Sequence, residues 1–213
     1  MLKLVIFDFD DTLINTYRAF VEFIRIRCKE LGIRDPGEDL IKEHWGKPYD
    51  HFHASVFPEI KNENLWDCKL RPNYSTVDGC EKMLEHCQGN GLIKGILTSR
   101  ERGSTESAAK TAGLNLTDFS FLYTFNDVKN HKPYEGCFDE VFEFMDEQRM
   151  EKSEAIYVGD NFVDFEAAEN NGMYFIAVTT GIRSREDFIK LGIENYRIAP
   201  NVGYLPEMDV FNH

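Results

Sequence analysis

The sequence predicts an α/β protein built on a parallel sheet, with a small all-α unit inserted after the first strand. Three observations carry this expectation. The chain opens on the apolar run Leu4-Val5-Ile6-Phe7, which has the length of a buried strand and ends at once in acidic residues. Residues 33 to 76 hold only short helical patterns, broken by Pro36-Gly37, Gly46, Pro48, Pro58 and Pro72. From Asp78 onward, apolar runs of strand length alternate with helical periodicity, the pattern of successive β-α-β units. The change of style sets the expected boundaries: residues 1–14 and 78–213 as the core, 15–77 as the insertion.

The elements follow in order. After the first strand, Tyr17, Phe20, Val21, Ile24, Cys28 and Leu31 recur at helical spacing, with Asn15 or Thr16 as N-cap and Gly32 as stop. Within the insertion the helical patterns are Leu40 to Trp45, Tyr49 to Val56 and Leu65 to Leu70. Its aromatics, among them Trp45, Phe52, Phe57 and Trp66, supply a core for so small a unit. His51-x-His53 offers no third ligand at metal-binding spacing, so the pair reads as structural. Next come a helix from Cys80 to Cys87, a strand from Ile93 to Leu97, a helix from Thr105 to Ala112 closed by Gly113, and a short strand from Phe121 to Tyr123. His131-Lys132-Pro133 precedes a helix from Phe138 to Met145. A strand from Ala155 to Val158 runs into Gly159-Asp160, a helix continues to Asn170, and Tyr174 to Val178 is a further strand. Ser184 and Asp187 have capping-box spacing at the start of the last helix.

At 213 residues the chain can bury a core without disulfides or structural metal. Its 24 basic and 37 acidic residues give a net charge of −13, which argues against general binding to nucleic acid or an anionic membrane. Five cysteines, odd in number and without Cys-x-x-Cys spacing, read as reduced thiols. No apolar stretch nears the ~18 residues of a membrane span and the first residues lack signal-peptide character, so the expected location is cytoplasmic.

Chemistry concentrates where parallel strands end, the usual place for ligands in such sheets. Asp8 and Asp10 leave one face of the first strand with Cα atoms about 7 Å apart. Thr98 and Ser99 end a second strand, Asp160 ends another with Asp164 one helical turn on, and Lys132 joins from a loop. Carboxylates this close need a cation or a shared proton. Mg²⁺, held by one or two carboxylates and substrate phosphate oxygens, is the usual cation. One Asp can attack phosphorus while a second moves protons to and from the leaving and entering oxygens. A hydroxyl and an ammonium can hold the phosphoryl oxygens. Arg100 alone among the nearby arginines lies by sequence beside these residues.

With Asp8-x-Asp10-x-Thr12-Leu13, Thr98 after a strand, Lys132-Pro133 and Gly159-Asp160-x-x-x-Asp164 in this order, the chain resembles the haloacid dehalogenase superfamily of phosphohydrolases over nearly its full length. The resemblance implies a Rossmann-like three-layer core with a helical cap, as in the phosphoglycolate phosphatase-like subgroup. It implies an Mg²⁺-dependent phosphatase acting on a small soluble phosphomonoester through a phospho-aspartyl intermediate, with the cap closing over substrate. It further implies Asp8 as nucleophile and metal ligand, Asp10 as general acid/base with its carbonyl on the metal, and Asp160 as a further metal ligand. Thr98, with Ser99 beside it, and Lys132 would bind phosphate, Thr12 would steady the motif loop, and Asp164 would act in the metal's outer shell or position Lys132. A phosphomutase on the same core, and a non-catalytic Mg²⁺- or phosphate-binding regulatory protein, are the alternatives. Retained Asp10 sets the chain apart from dehalogenase and phosphonatase members. It departs from the family pattern at Asp11, where Gly is often seen, at Ser99-Arg100, where Asn commonly follows, and at Asn171, where Ala is usual.

Overall fold

The computed structural model describes residues 1–45, 49–60, 65 and 71–211. The chain divides into two compact units, residues 1–15 with 75–213, and residues 16–74.

The larger unit is a six-stranded, wholly parallel sheet in the order β3-β2-β1-β4-β5-β6. Its strands are β1 (Leu4–Phe7), β2 (Ile93–Leu97), β3 (Phe121–Tyr123), β4 (Ala155–Gly159), β5 (Tyr174–Val178) and β6 (Ile198–Ala199). β1 lies at the centre, with Leu4 opposite Ile93 of β2 on one side and Ala155 of β4 on the other. Every residue of β1 is fully buried, so a continuous apolar run without polar alternation is what this position demands. Helices α4 (Cys80–Gly89), α5 (Arg102–Ala112), α6 (Asp139–Glu147), α7 (Phe162–Asn171) and α8 (Arg185–Lys190) connect the strands. Strand order turns back at β1, where β4 docks on its free edge, and the crevice at such a switch point is where an open α/β sheet binds ligands.

Local signals explain most element ends. Gly113 and Gly172 close α5 and α7 in the left-handed conformation. Ser184 and Asp187 form the capping box that their spacing predicts. At Gly95 in β2, a Cβ would lie 2.0 Å from the Phe121 ring, so that ring occupies the space a side chain would need. β6 was not expected from sequence; two residues ahead of Pro200 are too few to show a period.

The two units divide at 15/16 and 74/75. Asn15 donates its backbone N–H to the Ser75 carbonyl at 2.8 Å, and Val77 donates to Leu13 at 2.9 Å. Ile14 bridges Thr76, and the Asn15 side-chain amide donates to the Thr76 carbonyl at 2.7 Å. Both passing segments are thereby tied together and belong with the sheet unit. Asn15 thus spends its side chain on this tie.

The smaller unit contains α1 (Thr16–Leu31), α2 (Glu38–His44) and α3 (Tyr49–Val56). Its core is aromatic: the Phe20 ring meets Trp45 at 5.1 Å and Phe52 at 5.4 Å, and Phe52 meets Phe57 at 6.4 Å between centroids. Buried Arg27 donates through Nε to the Leu65 carbonyl at 2.9 Å. His53 lies beside Phe57 and is buried, while His51 is exposed. Gly46, Pro48, Trp66, Cys68 and most of the Leu65 to Leu70 helical pattern lie outside the described residues. The four described cysteines are buried free thiols. Among the described residues, no helix is long and apolar enough to cross a membrane.

Candidate active site

The site begins where β1 runs out. The Asp8 amide still donates to the Val158 carbonyl of β4 at 2.8 Å, so Asp8 is fixed by the sheet, yet its side chain clears the last rung. Phe9 turns back into the core, and a tight turn follows in which Leu13 and Ile14 donate to the Phe9 carbonyl. Asp11 takes a φ of 54° there. A left-handed residue is where glycine serves best and Asp or Asn is tolerated, which accounts for Gly being frequent at this place in the related pattern.

β4 supplies the second half. Asp160 follows its end, Asn161 caps α7, and the Asn161 amide donates to Asp164 Oδ2 at 3.1 Å. Close approach by two glycines makes room for these carboxylates. A Cβ on Gly159 would lie 2.5 Å from Asp164 Cβ, and one on Gly181 would lie 1.8 Å from Asp160 Oδ2. Gly181→Ala is therefore expected to displace Asp160 and lower turnover by at least about tenfold, with fold stability down by roughly 1–3 kcal/mol as for other overpacking changes. Steady-state rates beside urea unfolding check this, and a fully active variant would show that Asp160 has slack.

Lys132, from the loop between β3 and α6, joins the two halves. Its ammonium donates to Asp8 Oδ1 at 2.7 Å, Asp164 Oδ1 at 2.6 Å and the Tyr157 hydroxyl at 2.8 Å. Three donors thus meet three acceptors. Tyr157 in turn donates to Asp164 Oδ1 at 2.8 Å. Tyr157 was not singled out from sequence, because a tyrosine inside an apolar strand reads as core; the available signal was that its buried hydroxyl must find a partner.

The loop that carries Lys132 is held from α7. Asn170 donates to the Pro133 carbonyl at 2.8 Å, while Asn171 accepts from the Gly136 amide at 2.8 Å and donates to the Tyr134 carbonyl at 3.3 Å. The residue that departs from the family pattern therefore clamps the lysine's loop.

Other expected residues sit nearby. Thr12 is buried and its hydroxyl faces Asp160 Oδ1 at 3.5 Å. Thr98 ends β2, buried, and its Oγ1 accepts from the Arg100 amide at 3.1 Å. Ser99 is exposed. Asp10 is turned away from Lys132 and pairs with Arg100, whose Nη2 lies 2.6 Å from Oδ1. Its carboxylate is therefore not part of the acidic cluster that Asp8, Asp160 and Asp164 make, whose oxygens lie within 4.8 Å of one another.

Charge in this cluster is unbalanced. Burial pushes the Asp8 carboxyl up to about 8, with Asp164 and Asp10 adding to the rise against the pull of Lys132. Burial, Asp11 and Asp164 raise Asp160 well above the usual carboxylate range. Burial alone would lower Lys132, but Asp164 and Asp8 more than offset it and keep the ammonium charged. One cation cannot neutralise three buried carboxylates, and among the described residues none lies at ion-pair distance from Asp160. A hard divalent cation with oxygen ligands fits this donor set.

A doubly wound parallel sheet with acidic residues massed at its switch point is the frame of an α/β hydrolytic enzyme. A family model described as haloacid dehalogenase-like hydrolase matches residues 5–178, and the chain belongs to that family. Among curated proteins it is 26% identical over 192 residues to the pyrophosphatase PpaX of Bacillus mycoides, covering 86% of each chain. It is 22% identical over 201 residues to the phosphoglycolate phosphatase of Synechococcus elongatus, covering 88% of this chain and 89% of that one. Among solved structures, a hydrolase from Pseudomonas syringae superposes with a TM-score of 0.70 at 19% identity, covering 98% of each chain, and so shares the fold.

Proposed function

We propose that this hydrolase is an Mg²⁺-dependent phosphatase of a small phosphorylated metabolite, acting through an aspartyl phosphate on Asp8. The observation that supports it most is the placement of Asp8: sheet-anchored at the switch point, 2.7 Å from a buried ammonium and within one acidic cluster with Asp160. The names of two relatives, a pyrophosphatase and a phosphoglycolate phosphatase, agree with a phosphoryl substrate.

In this reading a carboxylate oxygen of Asp8 attacks phosphorus, and the bond to the leaving oxygen breaks with its electron pair. Asp10 gives that oxygen a proton. Asp10, now a carboxylate, then takes a proton from water as the water oxygen attacks the phosphoryl group, releasing inorganic phosphate and the Asp8 carboxylate. Lys132, Thr98 and Ser99 would hold phosphoryl oxygens, Thr12 would steady Asp160, and Asp164 would hold Lys132 in place. Asp8, the Asp10 carbonyl and Asp160 would hold Mg²⁺, which when bound supplies positive charge against the carboxylates and the phosphoryl oxygens.

The test is inorganic phosphate release from phosphoglycolate, pyrophosphate, sugar phosphates and nucleoside monophosphates, with Mg²⁺ or with chelator. We expect turnover of at least one substrate, reduced by about a hundredfold or more on chelation, in line with the several kcal/mol a bound cation contributes to such transition states. Failure to release phosphate from any of them with Mg²⁺ present would sink the reading.

A further inference from the structure

Arg100 stands two residues beyond Thr98 and holds Asp10 by the edge of its guanidinium. Its Nε lies 3.0 Å from both Asp10 oxygens and its Nη2 lies 2.6 Å from Oδ1, while Nη1 donates to Ser104 Oγ at 2.8 Å. The backbone beneath is fixed: the Arg100 amide donates to Thr98 Oγ1 at 3.1 Å, and the Arg100 carbonyl accepts from Phe125 at 3.0 Å. The pair is also the open part of the site. The Arg100 and Asp10 side chains are 18% and 31% exposed, against 4% for Lys132 and 8% for Asp8.

Two things follow from this geometry. A guanidinium fork that grips a carboxylate grips any oxyanion of similar shape, carboxylate or phosphoryl. An acid whose two oxygens are both engaged by a cation is also badly placed to give a proton to a leaving oxygen, so the grip must loosen before Asp10 can act. A competing anion next to the leaving oxygen would loosen it.

Building on the phosphatase reading above, we propose that Arg100 is a specificity-determining residue that reads a second anionic group on the leaving portion of the substrate. It trades its bonds to Asp10 for bonds to that group. The carboxylate of Asp10 is the internal stand-in for the substrate's own anion, and the exchange frees Asp10 for proton transfer. The chemical class selected is a phosphoryl compound whose leaving group carries a further carboxylate or phosphoryl charge. Substrates without one leave Asp10 held.

The test measures kcat/KM of wild type, Arg100→Gln and Arg100→Lys on two pairs of probes. Phosphoglycolate and pyrophosphate carry the second anion; ethyl phosphate and p-nitrophenyl phosphate do not. The proposal expects the ratio of the first class to the second to fall by about thirtyfold or more in Arg100→Gln, as loss of a charge-assisted contact produces. Arg100→Lys, which keeps the charge and loses the fork, restores part of that ratio. A fall confined to phosphoglycolate or to pyrophosphate supports the proposal and says which anion is read. A parallel loss on both classes would mean that Arg100 only aligns Asp10, and an unchanged ratio would mean that it reads nothing; either overturns the proposal while leaving the phosphatase intact. Wild type inactive on all four probes, and on the wider panel above, overturns the phosphatase reading itself and this proposal with it. Circular dichroism on each variant confirms folding, and the lysine variant decides the matter if the glutamine variant fails to fold.

Discussion

Asp8→Asn is expected to reduce phosphate release by about 10⁴-fold or more if Asp8 is the nucleophile proposed above, because an amide oxygen at that place neither attacks phosphorus usefully nor forms a phosphoenzyme. The same variant is expected to be more stable than wild type when both are metal-free and the solution is alkaline. In the folded protein the Asp8 carboxyl is raised to about 8, whereas in the unfolded chain it has an ordinary value near ~3.9. A raised carboxyl stabilises the fold fully below the unfolded value, and that contribution is lost as pH climbs toward 8. Asparagine stays neutral throughout, so the gap in favour of the variant opens from about pH 4 and levels off above about pH 8, at an upper bound of a few kcal/mol. Lys132 is not stranded by the change, since it keeps Asp164 at 2.6 Å. Urea unfolding in chelator at pH 5 and pH 9 measures this. A variant less stable than wild type at pH 9 would show that Asp8 belongs to a balanced ion pair after all.

Lys132→Met carries the second large effect, in the opposite direction. It removes an ammonium that faces Asp8, Asp164 and Tyr157, and each of those groups is buried. Breaking a buried ion pair by deleting one partner costs about 3–5 kcal/mol, chiefly because the other partner keeps its charge without compensation. The deficit is present at pH 8, because the wild-type lysine, raised above its ordinary value by Asp164 and Asp8, is still fully charged there. Activity is expected to be lost as well if Lys132 holds phosphoryl oxygens as proposed. Equal stability of the two proteins at pH 8 would contradict this account. Pairing the variant with Asp164→Asn gives a further check, as removal of the stranded charge recovers part of the loss.

The fold was legible because each strand leaves its own signature. β1, β2, β4 and β5 are apolar runs closed by a polar residue or a turn, and the alternation with helices leaves few topologies for a parallel sheet. β6 was not legible, since two residues carry no period. That Asp8, Thr98 and Asp160 each follow the end of a strand could be anticipated for the same reason: a polar side chain where a buried run stops has little else to do. What escaped depends on pairs distant in sequence. Arg100 could be placed near the site but not on Asp10, ninety positions earlier. Tyr157 was hidden by its hydrophobic neighbours. Asn171 looked like a mere departure from the family pattern; its bonds to the loop at 134–136 need both ends to be seen. Gly181 gave no sign, because only a near collision with Asp160 makes its missing side chain matter.

The central position of β1 has a consequence for how the molecule is made. During synthesis Leu4 to Phe7 emerge well before the partners on their two edges, Ile93 to Ile96 and Ala155 to Val158. Until then the most hydrophobic strand of the sheet has two bare edges, the condition under which chains stick to one another. Pairing across so long a loop also slows folding, because closure entropy is lost before the contacts that reward it can form. The docking of β4 covers one of those edges, and because Asp160 follows β4 directly, the same event brings its carboxylate beside that of Asp8.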